Sequence, residues 1–224
     1  EGRTVVEEVR LLDVSQVNLY GAVQVSTQLI QELCRWEVPV CYFSFGGWFH
    51  GVTTGLGHRN VELRRGQFRA AEDRARCLRL AARFVRGKIL NCRTLLRRNL
   101  KDIPRTELRE LARLSMAAGR APDLATLLGL EGAAARLYFS RFGEMLRPPE
   151  PDGRLAFDFN GRNRRPPKDP VNTMLSFLYA VLTKEAHLAV LGVGFDPFLG
   201  FYHQPRYGRP ALAPCTALAV LECF

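Results

Sequence analysis

The chain has 224 residues, 47% of them hydrophobic, and a formal net charge of +10, enough apolar surface for one large domain or two modest ones. No apolar run approaches the length of a membrane span, no signal peptide opens the chain, and its six cysteines form no Cys-x-x-Cys pair and no zinc spacing, so the reading is a cytoplasmic protein with reduced thiols rather than a disulfide-stapled secreted one. The charge points to an acidic partner such as nucleic acid, although 28 arginines against 4 lysines also fit GC-rich codon usage.

The first sixty positions read as small β elements. Glu8-Val9-Arg10-Leu11 and Gln16-Val17-Asn18-Leu19-Tyr20 alternate polar with apolar residues, and Gly21 permits a turn. Ser26 suits the N-cap of a short helix reaching Trp36, with Leu29, Ile30 and Leu33 on one face and Pro39 as its breaker. Positions 38–45 form an apolar run suited to a buried strand, Gly46-Gly47 marks a turn, and positions 48–52 return as the second arm of a hairpin.

From Asn60 the period changes. Leu63, Phe68, Ala71, Ala75, Leu78, Ala82, Val85 and Ile89 recur at three to five residues, which predicts one long amphipathic helix. Further helices are predicted at 105–118, 122–128, 130–146 and 170–191, with an exposed loop at 147–153. The predicted class is α+β, with a small β domain over 1–57 and a larger, mostly helical domain over 58–224.

Three segments could carry chemistry. The first opens a predicted helix with Leu130-Glu131-Gly132-Ala133-Ala134-Ala135-Arg136-Leu137-Tyr138. There Glu131 would meet the helix dipole, and Tyr138 shares its face. By themselves these are a surface carboxylate and a core ring. The second holds Arg162, Arg164, Arg165 and Lys168 just before Asp169, the expected cap of a helix that begins with Pro170 and should be buried from Met174 onward. Such a loop can neutralise phosphates or be merely solvated. The third, Gly194-Phe195-Asp196-Pro197-Phe198-Leu199-Gly200-Phe201-Tyr202-His203, packs aromatics around a proline turn and delivers one histidine. His50, His58 and His187 show no partner pattern.

Together with positions 17–29 and 204–212, these segments resemble, in the same order, the CRISPR spacer-acquisition integrase, the nuclease counted first among the CRISPR-associated proteins. The resemblance implies a β domain used for dimerisation and a helical catalytic domain. Glu131 and His203 match its metal-binding glutamate and histidine, so it implies Mg²⁺ or Mn²⁺ and an approach of the two side chains to roughly 4–6 Å. It implies an endonuclease/integrase that joins a 3′-hydroxyl of protospacer DNA to the CRISPR repeat by transesterification. Tyr138 would position the phosphate, and Arg162, Arg164, Arg165 and Lys168 would hold the DNA backbone. The implied partners are double-stranded DNA, a second copy of the chain, and a small dimeric CRISPR-associated protein.

The chain departs from that pattern after Ala213. Cys215 falls where the family has an aspartate, and Glu222 is the nearby acid. A thiol is a poor ligand for a hard cation. The third metal ligand is therefore expected to be missing, through a frameshift or truncation, with DNA bound but poorly integrated. With Glu1 in place of an initial Met, and without the first strands that the resemblance implies, the chain is expected to be a fragment, a processed product or one side of a fusion with an iron–sulphur exonuclease. The competing reading is a non-catalytic DNA-binding assembly subunit. A basic helical regulator has no recognition-helix motif to support it.

Overall fold

The structure, a computed structural model, describes residues 4–57, 60–146, 159–163 and 166–203. The chain divides into two compact units, Glu1–Arg59 and Asn60–Phe224. The class is α+β, with a small three-stranded sheet in the first unit and a succession of helices in the second.

In the first unit β1 (Val17–Tyr20) pairs in parallel with β2 (Val40–Phe43), which pairs antiparallel with β3 (Phe49–Thr53). Parallel neighbours need a crossover, and α1 (Thr27–Arg35) supplies it. Ser26 caps α1, its hydroxyl accepting the Leu29 N–H at 3.3 Å. The helix stops before Pro39 can break it. Glu37 turns left-handed with φ 55°, and the Glu37 and Val38 amides donate to the carbonyls of Cys34 and Leu33. Glycine usually occupies that position, so Glu37 carries backbone strain. Burial of Val38 with Leu33 and Val40 holds the turn in place. Leu29, expected on the same face, stays 46% exposed.

The strand expected at residues 8–11 does not form. Those residues lead into a 3-10 turn, Leu11–Asp13, tied by an Arg10–Asp13 ion pair. Two alternating apolar residues make a strand only if a neighbour pairs with them, and none does among the described residues.

The second unit contains α2 (Val61–Glu72), α3 (Arg74–Asn99), α4 (Arg105–Ala118), α5 (Leu124–Met145) and α6 (Pro170–Val193). The long helix predicted from Asn60 is thus two helices. Asp73 leaves the helical region at ψ 100°, and its carboxylate accepts the Arg76 N–H at 3.0 Å, capping α3. Aspartate favours caps over helix interiors, and the break rotates the buried face. α2 buries Gln67 and Ala70 and leaves Phe68 half exposed. Conversely, the helices predicted at 122–128 and 130–146 are one, α5, capped by Asp123 through the Thr126 N–H. Their fusion moves Glu131 from an expected first turn into a helix interior, beyond the reach of the helix dipole.

The core of this unit joins Val85, Ile89, Cys92 and Leu96 of α3 to Leu111, Leu114 and Ala118 of α4 and Leu127, Ala134 and Tyr138 of α5. A two-pronged Arg141–Glu107 ion pair ties α5 to α4.

Helix α6 contradicts two expectations. By length and composition it is apolar enough to cross a membrane. It is also not buried from Met174 onward, since Met174, Phe177 and Leu178 are 43–54% exposed. Its enclosed residues are Val171 and Val190 together with the polar Asn172, Lys184 and His187. Asn172 uses its whole hydrogen-bonding capacity. Its Oδ1 accepts from Arg162 and from the Asn163 N–H, and its Nδ2 donates to the Gly161 carbonyl and to Asp169. Replacing Asn172 with leucine keeps the volume but strands those groups, and should lower the unfolding free energy by about 1–3 kcal/mol, measured as a shift in urea midpoint.

Candidate active site

Helix α5 presents Glu131 to a site that water barely reaches. The Glu131 side chain is 14% exposed, and a charge so enclosed needs local partners. Lys88 of α3, 15% exposed, places Nζ 2.8 Å from Oε1. The Tyr202 hydroxyl donates to Oε2 at 2.6 Å. Burial pushes the carboxyl upward, but the charge and hydrogen bond of Lys88, the Tyr202 hydroxyl and the nearby His203 outweigh it and hold the group below the ordinary carboxylate range. Glu131 is therefore ionised at neutral pH.

Tyr202 and His203 arrive on the segment that follows α6. Gly194, at φ 97°, ends the helix in a conformation that suits glycine, and the Phe195 amide closes back on Val190. Gln67 of α2, 2% exposed, then clamps the next residues. It donates to the carbonyls of Asp196 (2.8 Å) and Leu199 (2.9 Å) and accepts the Asp196 N–H at 2.8 Å. Beyond the clamp the Tyr202 and His203 rings pack edge to face, 5.0 Å between centroids. Burial pushes His203 below the ordinary histidine range and Lys88 adds to this, while Glu131 opposes both. The imidazole is neutral at neutral pH.

An ionised carboxylate beside a neutral imidazole is the donor chemistry that a divalent cation such as Mn²⁺ takes, and Mg²⁺ when waters complete its shell. Among the described residues no three His, Cys, Asp or Glu side chains converge.

Other sequence-predicted site residues fare differently. Tyr138 is 6% exposed and packs edge-on against Phe139 and Phe142 within the core. The tyrosine hydroxyl bonded to Glu131 is that of Tyr202. Arg162 turns inward, donating to Asn172 and to the Asn163 carbonyl while stacking its guanidinium 5.4 Å over Tyr179. These contacts fasten its loop to α6. Lys168 is exposed, with its backbone N–H bound to Asn163. Arg164, Arg165, Cys215 and Glu222 lie outside the described residues.

Lys88, Tyr202 and Gln67 do not stand out as site residues in the sequence. Lys88 has a faint signal, since it lies three residues after buried Val85 and four before buried Cys92, on the flank of the apolar stripe. Its pairing with Glu131, 43 residues away, has none.

The family model described as CRISPR associated protein Cas1 matches residues 1–214. The chain belongs to the Cas1 family. It is 51% identical over 219 residues to a Geobacter sulfurreducens protein named as a CRISPR-associated exonuclease Cas4/endonuclease Cas1 fusion, covering 95% of this chain and 39% of that one. It is 38% identical over 212 residues to a Thermus thermophilus CRISPR-associated endonuclease Cas1, covering 95% of this chain and 60% of that one. The chain thus spans less than two thirds of the length of these Cas1 relatives. Among solved structures, a CAS1 protein from Thermotoga maritima aligns with TM-score 0.77 at 22% identity, covering 94% of this chain and 65% of that one. A casposase bound to its integration product aligns with TM-score 0.78 at 21% identity, covering 99% and 64%. At these identities the structural likeness concerns the Cas1 fold alone.

The Gln67 clamp should be measurable. In a Gln67→Leu variant the Asp196 amide loses its acceptor, and its hydrogen exchange should quicken at least about tenfold, one hydrogen bond of roughly 1.4 kcal/mol. Unchanged exchange would show that the segment holds its path without Gln67.

Proposed function

We propose that this chain is the Cas1 part of a divalent-metal-dependent DNA endonuclease/integrase that inserts protospacer DNA into a CRISPR array. The observation that carries this reading is the meeting of α5 and the segment after α6 at one enclosed carboxylate, Glu131, in a chain whose curated relatives are named Cas1 endonucleases. In the reaction, the 3′-hydroxyl oxygen of the incoming strand bonds to phosphorus at the repeat boundary while the original P–O3′ bond breaks, freeing a new 3′-hydroxyl. Glu131 and His203 would hold the cation. When bound, the cation would stabilise charge on the phosphoryl oxygens and favour ionisation of the attacking hydroxyl. Tyr202 fixes the Glu131 carboxylate, and Gln67 fixes the segment that carries Tyr202 and His203.

The acidic partner is double-stranded DNA. The net charge of +10, with Arg164, Arg165 and Lys168 in one basic stretch, supports it. One structural neighbour at TM-score 0.53 is a Cas1–DNA complex, and another at TM-score 0.71 is a Cas6-RT-Cas1–Cas2 complex. These support DNA and a small dimeric CRISPR-associated protein as partners. In the first unit Phe45 (95% exposed) and Trp48 (71%) crown the β2–β3 hairpin, and they support contact with a second copy of the chain. The proposed compartment is the cytoplasm.

A non-catalytic DNA-binding subunit is the second reading. It is favoured by the two-donor set among the described residues and by both Glu131 oxygens already being engaged. A Mn²⁺-dependent strand-transfer assay separates the two. Glu131→Gln and His203→Ala should abolish transfer and leave DNA binding intact. Transfer by Glu131→Gln equal to that of the parent would sink the enzymatic reading.

Arg164→Ala with Arg165→Ala should weaken binding to unrelated DNA sequences equally, and flatten the salt dependence by about one unit of slope for each phosphate no longer neutralised. Weakening that varies with DNA sequence would count against backbone binding.

A further inference from the structure

Lys88 is held at the same carboxylate that would hold the cation. Its Nζ lies 2.8 Å from Glu131 Oε1, and the two side chains are 15% and 14% exposed. We propose that Lys88 and the divalent cation hold Glu131 in alternation, the ammonium neutralising the carboxylate while no cation is bound and leaving Oε1 when one arrives. This inference rests on the metal-site reading above and adds a positioning residue to it.

The argument is one of charge and space. An enclosed carboxylate without a counter-charge is costly, which gives Lys88 its role in the metal-free protein. A cation bonded to Oε1 at about 2 Å would lie within a few ångströms of the ammonium, and two like charges so close in a weakly hydrated site repel strongly. One of them must leave. Tyr202 is under no such pressure, because its hydroxyl is uncharged and occupies the other oxygen, Oε2. Tyr202 therefore keeps the carboxylate oriented through the exchange. Among the described residues Glu131 of α5 and Tyr202 and His203 of the segment after α6 lie at this position, and the charge of Lys88 reaches His203 as well as Glu131. A lysine suits the exchange better than an arginine held by a planar two-pronged bond, because its four-carbon stem is flexible and its head is a point charge. The Arg141–Glu107 pair of α5 and α4 shows the contrasting arrangement, two nitrogens on two oxygens, built to stay shut.

The test measures Mn²⁺ affinity by electron paramagnetic resonance on the full chain. Lys88→Met should bind Mn²⁺ at least about tenfold more tightly than the parent, because the competing charge is gone. Lys88→Arg, which keeps the charge, should stay close to the parent or bind more weakly. A folded Lys88→Met protein with unchanged or weaker Mn²⁺ affinity overturns the inference. A second measurement needs no variant. Amine labelling of the parent chain, read by peptide mass spectrometry, should modify Lys88 several-fold faster with Mn²⁺ bound, and equal or slower labelling overturns the inference. Glu131→Gln separates this inference from the reading it rests on. Mn²⁺ binding that survives Glu131→Gln, or no binding by the parent and Lys88→Met alike, removes the metal site itself. Binding that needs Glu131 but ignores Lys88 removes only the alternation.

Discussion

The helical unit depends on satisfying one enclosed negative charge. Glu131 sits in the interior of α5, where the helix dipole gives it nothing and water reaches little of it. Its charge must be met by side chains, and the fold brings them from two other places, Lys88 from α3 and Tyr202 from the segment after α6. The same core that packs α3 against α5 sets the Lys88–Glu131 separation, so apolar packing and the electrostatics of the site are one arrangement. Without Lys88 and without a cation in its place, the carboxylate would lack a counter-charge where little water reaches it, a costly arrangement.

Buried polar side chains organise the irregular parts of the unit in the same way. Gln67 satisfies backbone groups of Asp196 and Leu199, and Asn172 those of Gly161 and Asn163. In each case one amide side chain does for a loop what the hydrogen-bond ladder does for a helix, giving its peptide groups partners where water is excluded. Gln67 bears on function most directly, because the chain it clamps is the chain that brings Tyr202 and His203 to Glu131. Apolar side chains could fill the same volume, but they could not choose a path for the backbone.

Two candidate site residues turn inward for a common reason. Tyr138 shares a helix face with Glu131, and spacing alone makes it a candidate partner. The face they share turns into the core, and Tyr138 is consumed by packing with Phe139 and Phe142. Tyr202, 71 positions from Glu131, is the tyrosine that bonds it. Arg162 likewise looks like one of a row of phosphate-binding arginines, but the Asn172 amide and the Tyr179 ring draw it inward. In both cases neighbours in sequence have different surroundings in the fold. Asp73 shows the opposite case. Its cap is legible in principle, because aspartate rarely sits inside a helix, yet the regular apolar spacing on either side hides it.

The sequence by itself determined the α+β class, the short strands beginning at Val17, the caps at Ser26 and Asp169, and the family. These follow from local periodicity, from side chains that bond their own backbone within three residues, and from long motifs in order. It also singled out Glu131 and His203. Only the tertiary structure decided what surrounds them. That Glu131 meets Lys88 rather than a helix dipole, that Tyr202 and not Tyr138 touches it, and that Gln67 steers the segment between α6 and the site all depend on contacts 43 to 132 residues apart. Such contacts leave no period in the sequence, because they are set by how the helices pack and not by the spacing along any one of them.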